Sequence, residues 1–163
     1  MRRQLEQVYE QYRQGLFSLA LAVTGNETEA EDAVHDAFLK LVRHGQSPRG
    51  DLTPYVFATV RNAAMDRVRR RIRRPEARHT VLADTRETQP PSEQALLKGE
   101  RDRLIRNALD NLPELQQQTV VMKMYGNLTF QQIADALDEP LSTVSSRYQR
   151  ALKALRHSLE ELL

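Results

Sequence analysis

Thr129-Phe130-Gln131-Gln132-Ile133-Ala134-Asp135-Ala136-Leu137-Asp138-Glu139-Pro140-Leu141-Ser142-Thr143-Val144-Ser145-Ser146-Arg147-Tyr148 holds two helical patterns around a tight turn. Thr129 is placed to cap a short helix, with Gln132 at its third position as in a capping box. Ile133, Ala134 and Leu137 give that helix a buried side. Asp138-Glu139-Pro140-Leu141 makes the turn. Ser142 is expected to cap a longer helix whose inner face is Val144, Tyr148, Ala151, Leu152, Leu155 and Leu159. Small Ala134 falls where the two helices cross, and Val144 closes the core from the second. This is the spacing of a helix-turn-helix.

The outward face of the second helix offers Thr143, Ser145, Ser146, Arg147, Gln149, Arg150 and Lys153. Hydroxyls, an amide and cations bond base edges and phosphates in a major groove, and Arg suits the guanine edge. The plainer reading is a helical hairpin with a polar face. Agreement of spacing, caps and face chemistry favours DNA.

Upstream, Leu97, Leu104, Ile105, Ala108 and Leu112 mark one helix. Leu115, Val120, Val121 and Met124 mark another, opened by Pro113 and broken at Gly126-Asn127. Between Pro75 and Ser92 the periodicity fails among Pro75, Pro90, Pro91 and polar residues, which reads as a flexible linker over 75–91.

Before the linker lie three more amphipathic helices. Leu5, Val8, Tyr9, Tyr12, Leu16, Leu19, Ala20 and Val23 recur at helical spacing and stop at Gly25. Asn26 is placed to cap the second helix, with Glu29 completing a box. Its stripe is Ala30, Ala33, Val34, Ala37, Phe38, Leu41 and Val42, ended by Gly45. Thr53-Pro54 is expected to cap and open the third, which runs through Val56, Phe57, Val60, Ala64 and Val68. No strand alternation appears. The expectation is an all-α chain of two small helical domains: a three-helix bundle over 1–74 and a helix-turn-helix domain over 92–163. Each half is small enough that its own core is marginal.

Charge is concentrated. Residues 1–60 hold 6 basic and 8 acidic side chains, whereas residues 61–78 hold 8 Arg against Asp66 and Glu76. That stretch carries the excess behind a net charge of +2 and points to a polyanion. Arg61, Asn62, Asp66, Arg67, Arg69 and Arg70 nearly ring the helix. Tyr55 and Phe57 lie one to two turns earlier, where an aromatic can stack on an exposed base or fill the core.

In 163 residues there is no cysteine, which removes disulfides, thiolate metal sites and thiol catalysis and accords with a reducing cytoplasm. No apolar run of about 18 residues predicts membrane insertion, and the N-terminus has no signal-peptide core. Glu27, Glu29, Glu31, Asp32, His35 and Asp36 invite a metal reading, built on Glu31, His35 and Asp36. A bundle site needs matching carboxylates from facing helices. The third helix offers only Asp66, so no metal or other cofactor is expected. A protein-docking face suits the acids better. No nucleophile–base pair or glycine-rich phosphate loop appears, and the expectation is a protein that is not itself an enzyme.

Gly25-Asn26-Glu27-Thr28-Glu29-Ala30-Glu31-Asp32-Ala33-Val34-His35-Asp36-Ala37-Phe38-Leu39-Lys40-Leu41 resembles region 2 of the extracytoplasmic-function sigma factors. Tyr55-Val56-Phe57-Ala58-Thr59-Val60-Arg61-Asn62-Ala63-Ala64-Met65-Asp66-Arg67-Val68-Arg69-Arg70-Arg71 is similar to the later part of that region. Leu112-Pro113-Glu114-Leu115-Gln116-Gln117 and residues 128–155 resemble region 4. At the recognition helix the family often has Gly-Thr-Val-Lys-Ser-Arg, where this chain has Ser142-Thr143-Val144-Ser145-Ser146-Arg147.

The resemblance implies a division of labour. Asp32, His35, Asp36, Phe38 and Leu39 dock on the beta-prime clamp helices of core RNA polymerase. Tyr55, Arg61, Asn62, Asp66, Arg67, Arg69 and Arg70 engage the promoter −10 element and a melted strand. Thr143, Ser145, Ser146, Arg147, Gln149, Arg150 and Lys153 read the −35 element. An anti-sigma protein covering the docking helix is a further implied partner. A linker of about 17 residues spans up to roughly 55 Å. Promoter elements about 17 base pairs apart, at roughly 3.4 Å per pair, are separated by a similar distance. The competing expectation is a free-standing helix-turn-helix regulator that binds DNA without polymerase.

Overall fold

The computed structural model describes residues 1–45, 48–74 and 93–162, and the side chains of all of these except 93–96. The expected linker over 75–91, and part of the loop that follows the second helix, lie outside the described residues. The described chain is helical, in the order α1 (Arg2–Thr24), α2 (Glu27–His44), α3 (Leu52–Arg73), α4 (Glu93–Asp110), α5 (Glu114–Met124), α6 (Phe130–Leu137) and α7 (Leu141–Glu161). No strand occurs among the described residues, and none of their helices is long and apolar enough to cross a membrane.

The first turn is set by two adjacent residues. Gly25 takes a left-handed φ of 69°, where a side chain would be strained, and its N–H donates to Leu21. Asn26 Oδ1 then accepts from the Glu29 N–H at 2.9 Å. The expected capping box is only half made, because the Glu29 carboxylate turns to Arg71 instead, at 3.0 Å. At α3 the cap is Asp51 and not Thr53: the Asp51 carboxylate accepts the Thr53 N–H at 3.0 Å, so the helix begins before Pro54. Ser142 also fails as a cap. The longer helix starts at Leu141, directly after Pro140, and Ser142 lies inside its first turn.

The α6 start matches its expected form. Thr129 and Gln132 exchange both bonds of the box, at 3.1 and 2.9 Å. Asp138 takes a left-handed φ of 53° and ends the helix, which turns the chain sharply into α7. Ala134 and Val144 are buried at the crossing.

α1, α2 and α3 pack on one another around Leu16, Leu19, Ala33, Val56, Phe57 and Val60. Phe57 is fully buried, with Tyr12 edge-on to it at 5.8 Å, which assigns it to the core. That core does not stop at α3. Val121, Met122, Leu128, Ile133 and Val144 belong to the same apolar cluster, with α1 lying on α5 and α3 on α6. A smaller cluster of Leu109, Leu112, Val120 and Ala151 holds α4, α5 and α7 together. The expectation of a separate core in each half therefore gives way to a main core shared by both, with a smaller one inside the second. Gly15, buried in the middle of α1, meets Gly126 just after α5 so closely that a Cβ on Gly15 would stand 2.5 Å from the Gly126 Cα. Two small units bury more apolar surface together than apart, which offsets the marginal size of each. Val42 and Leu152, read from periodicity as buried, are exposed because no neighbouring helix covers that edge of either stripe.

Candidate nucleic-acid and protein-docking surfaces

The recognition face on α7 is held by its neighbours. Tyr148 meets Phe130 of α6 edge-on at 5.2 Å, and the Lys123 ammonium of α5 sits 4.7 Å from the Phe130 ring centre. Ser146, Gln149, Arg150 and Lys153 are exposed, while Thr143 and Ser145 are half-buried. The Ser146 hydroxyl turns back to the Ser142 carbonyl at 2.9 Å. Arg147 differs from the other cations. Its side chain is only 11 % exposed and ion-pairs with Glu139, so it ties the recognition helix to the turn before it. Among the seven side chains expected here, Arg147 is thus already engaged within the protein.

The α3 surface is likewise divided. Tyr55, Asn62, Asp66, Arg69 and Arg70 are exposed. Asp66 pairs with Arg69 at 3.1 Å. Arg67 leans onto α2, with Asp32 at 3.5 Å and Asp36 nearer. Arg71 adds a bond to the Thr24 carbonyl at 2.8 Å, beside its pair with Glu29. Arg61 points to the second unit, where its Nε donates to the buried Gln118 Oε1. Between α2 and α3 runs a groove lined by Lys40, Arg43, Tyr55, Asn62, Arg67 and Arg70. Lys40 and Arg43 are new to this surface. Arg43 lies in the basic last turn of α2, where a cation also suits the negative end of the helix dipole.

On α2, Asp32, His35, Asp36 and Leu39 are exposed in one band, and Phe38 is half-buried against Tyr9 at 5.2 Å. Acids beside an accessible leucine can seat a basic, partly apolar helix. Asp36 is held by Arg67, and among the described residues no group of three or more His, Asp or Glu converges as a metal-ligand set.

Two polar residues sit where the units meet. The Gln132 amide donates to Asp51 at 2.8 Å, over 81 positions of sequence. That bond, with the Thr53 contacts behind it, holds the Asp51 carboxyl below the usual carboxylate range against a smaller opposing effect of burial.

Comparison with known proteins bears on these surfaces. Residues 8–74 match the family model for sigma-70 region 2, and residues 102–155 match that for sigma-70 region 4. An ECF RNA polymerase sigma factor SigK from Mycolicibacterium vanbaalenii is 28 % identical over 156 residues, covering 93 % of this chain and 79 % of that protein. The RNA polymerase sigma-H factor of Pseudomonas aeruginosa is 26 % identical over 163 residues, covering 93 % and 84 %. Among solved structures, the sigma factor RpoE in complex with the anti-sigma factor NepR, from Bartonella quintana, shares the fold. Its TM-score is 0.70 at 20 % identity, covering 98 % of this chain and 96 % of that one.

Region 2 and region 4, in that order in one helical chain, define a sigma-70 protein. The chain belongs to the extracytoplasmic-function group of the sigma-70 family. That family is not an enzyme family. The region 2 match also removes the free-standing regulator, which has no use for such a unit.

Proposed function

We infer that the chain is a dissociable specificity subunit of RNA polymerase. It binds the core enzyme, directs it to a particular set of promoters and assists strand opening. The observation that carries this reading is the pairing, in one chain, of an exposed acidic band on α2 with a helix-turn-helix whose second helix exposes Gln149, Arg150 and Lys153. Residues 1–74 serve core docking and the −10 element, and residues 92–163 serve the −35 element. The protein works in the cytoplasm and performs no catalysis; the polymerase supplies the nucleotidyl chemistry.

Within that reading, Asp32, His35, Asp36, Phe38 and Leu39 meet the beta-prime clamp helices. Tyr55, Arg61, Asn62, Asp66, Arg67, Arg69 and Arg70 serve the −10 element. Exposed Arg69 and Arg70 supply phosphate contacts, which give affinity without sequence information. Thr143, Ser145, Gln149 and Arg150 present base-reading groups, Ser146 and Lys153 flank them, and Arg147 sets the angle of the helix. An anti-sigma protein competing for the docking band is the natural inhibitor.

Gel filtration with purified core RNA polymerase tests the reading. The wild type is expected to co-elute, and Asp36→Arg is expected to elute alone, since it places a cation in the docking band. Failure of the wild type to co-elute at low salt would overturn the assignment.

A further inference from the structure

The turn between α6 and α7 carries an acid that faces the cations of the recognition helix. Asp138 is left-handed at φ 53°, and the Glu139 N–H returns to the Ala134 carbonyl at 3.0 Å. Glu139 also precedes Pro140, whose ring confines it to extended angles. Its backbone is therefore fixed from both sides, and its carboxylate reaches forward to the Arg147 guanidinium on α7. The side chains are 25 % and 11 % exposed, and the two atoms that meet, Glu139 Oε2 and Arg147 Nη1, are shut off from water. Arg147 stands three residues after Val144 and four before Ala151, both buried. It thus lies along the inner side of α7, apart from exposed Ser146, Gln149 and Lys153.

We propose that Glu139 is a positioning residue for promoter reading: through Arg147 it fixes the roll of the recognition helix, and so decides which base edges Gln149 and Arg150 meet. The inference rests on the sigma-factor reading and names what sets base selection within it. Two ties of α7 to α6 are apolar. Val144 is buried at the crossing, and Tyr148 meets Phe130 edge-on. Apolar contact is non-directional and tolerates a helix that rolls by some degrees. A guanidinium offers its donors in a rigid planar fork, and an ion pair out of water loses much when its geometry is lost. The roll is therefore set at Arg147. Gln149 and Arg150 follow it by two and three residues, within about 5 Å along the axis at roughly 1.5 Å per residue. Base-edge hydrogen bonds weaken steeply off their preferred angle, so a roll at Arg147 is felt at the bases. Arg147 itself holds no phosphate in this arrangement.

The full chain with core RNA polymerase is offered a duplex library randomised across the −35 segment, and the bound duplexes are sequenced. Glu139→Gln and Arg147→Met remove the two charges at nearly constant size, singly and together. Circular dichroism fixes a temperature at which every variant is folded. Wild type is expected to select a narrow set of sequences. Each single variant is expected to lose about tenfold in discrimination between that set and a single mismatch, the order of one base contact. The double variant is expected to lose no more than either single, since both remove one device. The salt slope of binding is expected to match the wild type in all three, because no phosphate contact is lost. Unchanged discrimination in Glu139→Gln overturns the proposal, as do additive losses. A slope lower by about 1 in Arg147→Met also overturns it, by placing Arg147 on a phosphate. A second measurement needs no DNA. In NMR spectra of the free chain, the Gln149 and Arg150 amide signals are expected to move in Glu139→Gln, and unmoved signals overturn the proposal. If they move but the wild type does not bind polymerase, the positioning role stands and the sigma-factor reading falls.

Discussion

Arg67 on α3 lies between two carboxylates of α2, with Asp32 at 3.5 Å and Asp36 in a shorter contact on its other terminal nitrogen. The residues assigned to DNA and those assigned to polymerase thus share an ion pair in the free protein. One turn further along α3, Arg71 reaches Glu29, so the two helices are stapled antiparallel by charge.

The strength of that staple is measurable. The Arg67 side chain is 25 % exposed and that of Asp36 is 49 % exposed, so solvent screens the pair and its expected worth is about 0.2–1 kcal/mol. A double-mutant cycle of Arg67→Ala and Asp36→Ala, followed by urea unfolding, should return a coupling in that range. The coupling should shrink towards zero in concentrated salt. Zero coupling at low salt would show that the pair does not persist in solution.

Asp51 provides a titration signature for the contact between units. Its carboxyl is held below the ordinary value chiefly by the Gln132 amide. A lowered folded pKa means that this contribution is complete above the unfolded value of about 3.9 and is lost as pH falls through the folded one. Gln132→Glu keeps an acceptor for the Thr129 N–H but replaces the donor to Asp51 with a like charge. The Asp51 pKa, followed by NMR, should rise above that of the wild type. An unchanged value would show that Gln132 does not reach Asp51.

Arg147 and Arg150 stand one turn apart at most yet should behave differently. Arg147→Ala leaves the partly buried Glu139 without its cation and is expected to cost about 1–3 kcal/mol of stability. Arg150→Ala, at an exposed site, is expected to change stability by less than about 0.5 kcal/mol. Its effect should appear in binding of the polymerase complex to a −35 duplex, with weaker affinity and a salt slope lower by about 1. Equal stability losses in the two variants would refute the separation.

Phe57 follows Tyr55 by two positions, and the two divide between core and surface. Phe57→Ala is expected to lower unfolding stability by about 3–5 kcal/mol, since the ring is fully buried. Tyr55→Ala should cost little stability and reduce opening of a forked −10 template by the polymerase complex. A Phe57→Ala protein as stable as the wild type would contradict its place in the core.

Much of this architecture was legible because helices announce their ends. Gly25, Gly45 and the Thr129–Gln132 box each act within a few residues, and local chemistry is what a sequence displays. The errors were local as well. Thr53-Pro54 looked like a cap and first turn, but Asp51 was two residues upstream with a stronger acceptor. Ser142 has a hydroxyl that can cap, but the helix has already begun at Leu141. What periodicity could not reveal was contact between distant segments. Gln118 reads as one more polar residue on α5, and nothing in its neighbourhood names Arg61, 57 positions away. Gly15 was the available clue, since a glycine inside an apolar helix is unfavourable unless something must approach closely. The exposed polar faces of α2, α3 and α7 were legible, but not the internal pairs that engage Arg61, Arg67 and Arg147.

The Gly15–Gly126 contact has a genetic consequence. A joint that admits no side chain can be broken by almost any codon change at position 15 and restored by glycine alone. Random mutagenesis scored for loss of the packing between α1 and α5 should therefore gather substitutions at position 15. The same screen should leave the exposed band of α2 untouched, because Asp32, His35, Asp36 and Leu39 face solvent.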